Sequence, residues 1–196
     1  MSSLAGLIFG AALGCAIFAL PAWLDYTLAS RVGGFDSRSF SADPEFRLLV
    51  ALTLLSDVLA ATVALFGHSF GLPGSRWAWL LLGVVVVCSG CALRYWAILT
   101  LGRLFRFVIA IQNNHRVITD GPYRLVRHPA YTGALLIQVG IGIALANSLS
   151  LLICLVVPMI GVIPRIRREE LALSADLGAE YQAYAAKTKR LIPKIW

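Results

Sequence analysis

The fold follows from two adjoining stretches, GPYRLVRHPAYTG at residues 121–133 and ALLIQVGIGIALANSLSLLICLVVPMIGVI at residues 134–163. The first stretch is basic, contains several turn residues and carries His128. The second stretch is apolar but is interrupted at Asn147-Ser148. Its 30 residues are too few for two membrane spans, because one span needs about 20 residues. The pattern therefore predicts a helical hairpin whose two arms extend into the flanking segments.

Both arms of the hairpin have recognisable limits. The first arm is predicted to begin near Pro129, because proline is well accommodated in the first turn of a helix. The second arm is predicted to run past Pro164, with a kink, into residues 165–178. Residues 165–186 have the pattern of an amphipathic helix that is broken at Gly178. The basic residues that follow are expected near the membrane surface.

The composition is that of an integral membrane protein. Hydrophobic residues make up 59% of the 196 residues and charged residues 14%. A soluble domain has about 45–50% apolar residues and about 25% charged residues. A chain of this length is expected to form one domain, without room for a large soluble catalytic unit. The sequence contains no dinucleotide-binding fingerprint, phosphate-binding loop or zinc-protease motif, and it lacks the scaffold of a nucleic-acid binder. An active site must therefore be assembled from helix ends and loops.

Three further apolar runs are each about 20 residues long, which is the length that crosses a bilayer core. They cover residues 4–24, 47–67 and 77–101. Together with the hairpin they predict an all-α integral membrane protein with about five transmembrane helices. Residues 1–101 then form three N-terminal membrane helices, and residues 102–196 form the region that carries the polar clusters.

The positive charge lies in the second half of the chain. The net charge is +7, and residues 102–196 hold twelve of the seventeen Lys and Arg residues. Basic loops of membrane proteins stay on the cytoplasmic side. We therefore expect residues 102–131 and 164–196 to face the cytosol, which agrees with a hairpin whose two ends lie on one side. A site for an anionic ligand would produce the same excess of positive charge.

Two polar clusters flank the hairpin and are candidates for a site. His128 stands on a rigid segment before Pro129, while Arg165, Glu169 and Glu170 follow the apolar part of the second arm. The hairpin brings the clusters together, and Arg165 and Glu169 share a helix face because they are four residues apart. Such a face suits a zwitterion, or a cation together with an anion. The alternatives are a histidine that binds loop backbone and a solvated, self-paired charge cluster.

Asp57 is an acid in the middle of an apolar run. An ionisable residue in a membrane is a candidate functional residue, but it can also pair with a polar group such as Arg94 or pack in its protonated form. The four cysteines at positions 15, 88, 91 and 154 lie in apolar runs, without the His or acid neighbours of a metal site. We expect them to pack in the core, and we expect no metal site.

The motifs of the second half resemble those of the isoprenylcysteine carboxyl methyltransferase family. The resemblance spans residues 99–196 and rests on the combination of His115-Arg116-Val117-Ile118, Gly121-Pro122-Tyr123, Arg127-His128-Pro129-Ala130-Tyr131-Thr132-Gly133, Arg165, Glu169-Glu170 and Gly178-Ala179-Glu180-Tyr181-Gln182-Ala183-Tyr184. The wider superfamily includes phospholipid N-methyltransferases, and the Arg-His-Pro element also occurs in membrane sterol reductases. One departure is the pair Arg167 and Arg168, where the family often has a longer acidic run before the glutamates.

The resemblance implies an S-adenosylmethionine-dependent enzyme that methylates a membrane-embedded lipid substrate, in its most specific form the α-carboxyl group of a C-terminal prenylated cysteine. Its cofactor pocket would face the cytosol and be formed by the 102–131 loop and the C-terminal helical segment. Arg165 matches the family's substrate arginine and is the expected catalytic residue. The residues matched to cofactor binding are His115, Arg116, Val117, Ile118, Tyr123, His128, Pro129, Ala130, Tyr131 and Glu169, and the secondary candidates are Arg127, Glu170 and the intramembrane Asp57.

Other functions are compatible with the sequence. They are a phospholipid or other small-molecule methyltransferase, a nicotinamide-dependent membrane reductase and a non-catalytic membrane assembly protein. The expected partners are a prenylated cysteine or another lipid-linked acid and the lipid bilayer, without nucleic acid. The multi-pass protein is expected in the plasma membrane of a prokaryote or the endoplasmic reticulum of a eukaryote. The oligomeric state is left open.

Overall fold

The computed structural model describes residues 43–105 and 117–196, together with Pro21, Trp23, Thr27 and Ser30. Between residues 43 and 196 the described part contains four long helices: α1 (Pro44–Phe66), α2 (Arg76–Leu101), α3 (Pro129–Ala144) and α4 (Ser148–Lys187). Short 3-10 turns lie at His68–Phe70, Gly102–Leu104 and Gly121–Arg124. In this part of the chain the β-structure amounts to two isolated bridge pairs. The prediction of an all-helical fold is confirmed for the described residues.

Three of these helical segments are long and apolar enough to cross a membrane, namely Pro44–Phe66, Arg76–Leu104 and Ser148–Lys187. Helix α3 is a shorter apolar helix of 16 residues, about 24 Å long against a bilayer core of about 30 Å. The first predicted span, residues 4–24, lies outside the described residues except for Pro21 and Trp23. The count of five membrane helices therefore stays a prediction.

Helix α4 extends beyond the membrane. Its 40 residues correspond to about 60 Å, about twice the thickness of the bilayer core. Residues 148–164 are apolar and suit a membrane span, whereas the more polar residues 165–187 continue the same helix. Pro164 lies inside α4, and the kink expected there stays a prediction. The non-helical residue inside α4 is Gly178, with φ 53° and ψ −125°. Glycine adopts this backbone conformation without a steric clash of a Cβ atom, and the predicted break at Gly178 is confirmed.

Helices α2 and α3 approach each other closely along a row of glycines. A Cβ atom added at Gly90 would come within 2.7 Å of the Gly133 carbonyl oxygen, and one added at Gly133 would meet the Gly90 carbonyl oxygen at the same distance. Gly83 and Gly140 form a second such contact seven residues along each helix, at 2.6 Å. Small residues let the backbones of membrane helices approach in this way. The contact fixes the start of α3 against α2.

The hairpin turn lies at the polar interruption that the sequence contains. Asn147 caps α4, because its Oδ1 accepts hydrogen bonds from the backbone N–H groups of Leu149 and Ser150, each at 3.1 Å. Its Nδ2 also donates to the carbonyl oxygen of Gly67, at 3.0 Å. The predicted hairpin is confirmed: α3 begins at Pro129 as expected, and its partner begins at Ser148.

Polar side chains join α1 to α4 within the membrane. The Ser56 hydroxyl donates to the carbonyl oxygen of Ile153 at 3.2 Å, and the Ser150 hydroxyl donates to that of Ala60 at 2.7 Å. Cys154 is completely buried beside them, which confirms the prediction of core packing for this cysteine. For Cys88, which is exposed, the prediction is wrong. Each hydroxyl thus finds a backbone acceptor in a medium that offers no water.

The C-terminal residues return to the start of α3. The backbone N–H of Arg127 donates to the Lys189 carbonyl oxygen at 2.7 Å, and that of His128 donates to the Arg190 carbonyl oxygen at 3.0 Å. The Thr132 hydroxyl donates to the carbonyl oxygen of Leu191 at 2.9 Å. These bonds hold residues 188–196, the C-terminal strap, against the segment that carries His128.

Candidate active site

The two polar clusters of the sequence meet at one end of the helices. This region is surrounded by the start of α3, the polar half of α4 and the C-terminal strap. Asp43, which precedes α1, also reaches it. Arg165 and His128 are buried there, with 2% and 4% of their surface exposed. A buried guanidinium requires charged or hydrogen-bonding partners, because burial of an unpaired charge costs several kcal/mol.

Arg165 has partners from two other helices. Its Nε donates to the hydroxyl of Tyr131 at 2.9 Å, and its Nη1 donates to Oδ2 of Asp43 at 3.2 Å. The guanidinium carbon also lies 5.1 Å from the centre of the Phe46 ring, which is a cation–π contact. Arg165 therefore lies where α1, α3 and α4 converge.

The Tyr131 hydroxyl links Arg165 to Glu169. It accepts the hydrogen bond from Arg165 and donates its own proton to Oε2 of Glu169 at 3.1 Å. The prediction that Arg165 and Glu169 share a face of α4 is confirmed, since both contact the same phenol oxygen. The arrangement places a cation and an anion on the two sides of one neutral hydroxyl group.

Asp43 supports this region from the start of α1. Its Oδ1 accepts hydrogen bonds from the backbone N–H groups of Glu45 and Phe46, each at 3.0 Å, and so caps the helix. Burial alone would raise the pKa of Asp43, but the hydrogen bonds from the Phe46 backbone and from Arg165 outweigh it and lower the pKa below its usual value. Asp43 is therefore a carboxylate at neutral pH.

Glu170 is the centre of a second cluster of charged residues. Its carboxylate lies 2.8 Å from Nε of Arg127, 2.8 Å from Nη2 of Arg190 and 3.3 Å from Nε2 of His128. Burial alone would raise the pKa of Glu170, but hydrogen bonds from His128, Arg190 and Arg127 outweigh it and lower the pKa to about 2. The alternative of a solvated, self-paired charge cluster does not describe Glu170, because its partners come from other segments and its side chain is only 13% exposed. Glu170 ties α4 to the start of α3 and to the C-terminal strap.

Arg127 also binds the backbone after the break in α4. Its Nη1 donates to the carbonyl oxygens of Ala185 and Thr188. His128 lies beside it with its ring centre 5.8 Å from that of Tyr131. Arg127 therefore holds the end of α4 over the site, and His128 stands between the Glu170 cluster and Tyr131.

Two tyrosines that follow the break at Gly178 face the same region. The Tyr184 hydroxyl donates to the carbonyl oxygen of Tyr123 at 2.8 Å. The buried Tyr181 hydroxyl has no hydrogen-bond partner among the described residues. Burial, and next the charge of Glu170, raise the pKa of Tyr181. A buried hydroxyl without a partner beside this site suits a ligand that supplies one.

A model of the isoprenylcysteine carboxyl methyltransferase (ICMT) family matches residues 81–175, which include α3 and α4 as far as Ala175. The chain is 37% identical, over 145 residues, to a probable protein-S-isoprenylcysteine O-methyltransferase of Oryza sativa subsp. indica, with 70% of this chain and 76% of that protein covered. The chain belongs to the isoprenylcysteine carboxyl methyltransferase family.

A further relative and a solved structure agree with this assignment. Protein-S-isoprenylcysteine O-methyltransferase A of Arabidopsis thaliana is 31% identical over 176 residues, which cover 86% of this chain and 85% of that protein. A solved structure of the eukaryotic intramembrane Ras methyltransferase ICMT has a TM-score of 0.62 and 21% identity, and the match covers 93% of this chain and 68% of that one. At this identity the structural likeness establishes an ICMT-like membrane fold.

The residues that the sequence matched to the ICMT family are placed as follows. Four of them lie close together in space, namely His128, Tyr131, Arg165 and Glu169. Two others, Pro129 and Tyr123, are buried and lie near His128 in the sequence. The carbonyl oxygen of Ala130 accepts a hydrogen bond from Arg94 at 2.9 Å, and Val117 and Ile118 are half-buried. His115 and Arg116 lie outside the described residues.

Asp57 does not belong to this group of residues. It lies on α1 fourteen residues after Asp43, about 21 Å along the helix. The side chain that contacts it is Gln138 of α3, whereas Arg94 binds the backbone of Ala130. Asp57 thus contacts a polar group, as one of the alternatives left open by the sequence allows, and that group is Gln138.

Three residues of the site were missed in the sequence. Asp43 carries the signal of a helix cap, since it precedes Pro44 at the start of an apolar run, but its contact with Arg165 spans 122 residues of sequence. Arg190 is one of several basic residues near the C-terminus, and Tyr181 lies in the amphipathic segment of residues 165–186. Long-range contacts of this kind carry no local pattern by which to find them.

Proposed function

We propose that this member of the ICMT family transfers a methyl group from S-adenosylmethionine to the α-carboxylate of a C-terminal prenylated cysteine. The named relatives of the family support the reaction. The observation that carries the proposal is Arg165, which is buried and held by Tyr131 at the point where the apolar part of α4 ends. A guanidinium at the boundary of the membrane suits an acceptor with a tail in the bilayer and a carboxylate at its surface.

The acceptor needs no general base. An α-carboxyl group has a pKa of about 3.3–3.7 and is already ionised at neutral pH. The work of the protein is therefore to orient the carboxylate and to exclude water. Arg165 is assigned to binding the carboxylate oxygens. Tyr131 holds the guanidinium of Arg165 in place through its hydroxyl group.

The described residues fit the methyl donor. S-adenosylmethionine carries an ammonium group and ribose hydroxyls, which need acceptors, and Glu169 offers a carboxylate on the far side of Tyr131. The buried Tyr181 hydroxyl, which has no partner among the described residues, offers a further polar contact. When bound, the donor supplies an activated methyl group on its sulfonium centre.

The donor pocket is assigned to four parts of the chain. They are residues 115–118, Tyr123, residues 128–131 and Glu169, as the family resemblance implies. The Glu170 cluster holds the start of α3, the end of α4 and the C-terminal strap together around this pocket. We place the pocket on the cytosolic side, because residues 102–131 and 164–196 carry twelve of the seventeen basic residues.

Methyl transfer in proteoliposomes tests the proposal. The purified protein is supplied with S-adenosylmethionine that carries a labelled methyl group, and with a panel of prenylcysteines, other lipid acids and phospholipids. We expect a base-labile methyl ester of the prenylcysteines, identified by its mass. Labelling of a phospholipid or of another lipid acid instead would show that this lipid, and not a prenylcysteine, is the acceptor. Oxidation of a reduced nicotinamide without any methyl transfer would contradict the proposal as a whole.

A further inference from the structure

Arg165 already contacts a carboxylate of its own chain. Oδ2 of Asp43 accepts a hydrogen bond from Nη1 of Arg165 at 3.2 Å, while Oδ1 of the same side chain caps α1. The Asp43 side chain is 13% exposed and that of Arg165 is 2% exposed. The ion pair is therefore shielded from water and stronger than one on the protein surface. The guanidinium that we assign to the acceptor carboxylate thus has an internal carboxylate beside it.

The geometry of the guanidinium makes this contact important. A guanidinium offers a carboxylate two edges with two parallel N–H donors each, one edge that includes Nε and one that includes Nη1. The Tyr131 hydroxyl takes Nε and Asp43 takes Nη1. An incoming carboxylate that binds Arg165 through a complete edge therefore uses a nitrogen that already donates to one of these two partners, and competes with that partner.

Asp43 is the partner that an acceptor can replace. Tyr131 is held in place by its second hydrogen bond, to Glu169 at 3.1 Å, and it carries no charge to exchange. Replacement of the Asp43 carboxylate by another carboxylate keeps the buried guanidinium paired with a carboxylate, so the cost of an unpaired buried charge is avoided. A methyl ester has no negative charge and cannot make this exchange.

We propose that Asp43 is a specificity-determining residue that competes with the acceptor carboxylate for Arg165. An anionic acceptor displaces the Asp43 carboxylate from Nη1. Once the carboxylate has become a neutral ester, Asp43 pairs with Arg165 again and favours release of the product. The inference rests on the proposed function, in which Arg165 binds the acceptor carboxylate.

The Asp43→Asn variant separates competition from a structural role. Asparagine retains an oxygen that caps α1 as well as aspartate does, but it has no negative charge to compete with the acceptor. We expect the KM for a prenylcysteine acceptor to fall at least threefold, and the KM for S-adenosylmethionine to stay within twofold of the wild-type value. Inhibition by the neutral methyl ester should change less than twofold. The Asp43→Ser variant, which also retains a capping oxygen, should behave in the same way and serves if the first variant does not fold.

Glu45→Gln is the matched control. Glu45 lies two residues from Asp43 and pairs at 2.8 Å with Arg168, whose side chain is 66% exposed. We expect both KM values of this variant to stay within twofold of the wild-type values. An acceptor KM that rises in Asp43→Asn, or that stays unchanged, would overturn the competition. If the wild-type protein transfers no methyl group to prenylcysteines, the proposed function fails instead.

Discussion

The hydroxyl of Tyr131 donates a hydrogen bond to Oε2 of Glu169 across 3.1 Å. The same oxygen accepts a hydrogen bond from Nε of Arg165 across 2.9 Å. One phenol on α3 therefore orients a cation and an anion that are neighbours on α4. If Arg165 binds the acceptor and Glu169 the methyl donor, Tyr131 aligns the two substrates without reacting itself.

Removal of the Tyr131 hydroxyl should affect both substrates. In Tyr131→Phe the ring remains and the two hydrogen bonds are lost, each of them to a charged group. Such bonds are worth about 1.5–3 kcal/mol, so kcat/KM should fall about 10- to 100-fold for the acceptor and also for the donor. Steady-state kinetics with each substrate varied in turn measure the two effects. Tyr95→Phe, on an exposed position of α2, is the control and should leave both values unchanged.

Replacement of Arg165 by lysine should mainly affect the acceptor. Lysine retains the positive charge but has no planar pair of donors for a carboxylate. We expect the KM for the prenylcysteine to rise about 10-fold or more, as expected from the loss of a charge-assisted hydrogen bond. The KM for S-adenosylmethionine should change much less. An equal increase of the two KM values would contradict the assignment of Arg165 to the acceptor.

Glu169→Gln should show the opposite pattern. The amide retains the size of the side chain and an oxygen that can accept the Tyr131 proton, but it has no charge for an ammonium group. Isothermal titration with S-adenosylmethionine should show an affinity at least about 10-fold weaker, since a charged hydrogen bond is worth about 1.5–3 kcal/mol. Glu180→Gln, on an exposed position of α4, is the control. Unchanged affinity in Glu169→Gln would remove Glu169 from the donor pocket.

The Glu170 cluster should make the protein sensitive to acid. The pKa of Glu170 is about 2 in the folded protein against an ordinary value of 4.5, so the folded state binds the proton more weakly than the unfolded state. Its stabilisation is fully present above about pH 4.5 and is lost as the pH falls towards 2. The melting temperature of Glu170→Gln in detergent should be lower than that of the wild type at pH 7, and the difference should shrink below pH 4.5. If the difference in melting temperature between the two proteins stayed constant from pH 7 to below pH 4.5, the charge of Glu170 would not be its cause.

The glycine contact between α2 and α3 should tolerate no larger side chain. In Gly90→Val a Cβ atom would lie 2.7 Å from the Gly133 carbonyl oxygen, so the two helices must separate. We expect a loss of about 1–3 kcal/mol of stability, as in other overpacked sites, and a loss of methyl transfer because α3 positions His128 and Tyr131. Ala92→Val, on the exposed face of the same helix, is the control and should keep the wild-type melting temperature. A stable and active Gly90→Val protein would contradict the close approach.

The helices and the hairpin were predictable because their signals are local. The length of each apolar run, Pro129 in a first helical turn, Asn147 at the interruption and the break at Gly178 all act over a few residues. The common helix face of Arg165 and Glu169 was predictable for the same reason, since four residues are about one turn of a helix. The contact of Asp57 with Gln138 was not predictable, because an intramembrane acid permits several local arrangements.

The sequence by itself determined that this is a helical membrane protein with a hairpin, and which residue types stand at its two polar ends. The tertiary structure alone decided that Asp43 reaches Arg165 and that Tyr131 lies between Arg165 and Glu169. It also decided that Glu170 serves to hold the C-terminal strap. The physical reason is that a buried charge must find a partner wherever the packing of helices brings one. That packing depends on contacts between residues as far apart as 122 positions, and no repeating pattern in the chain records them.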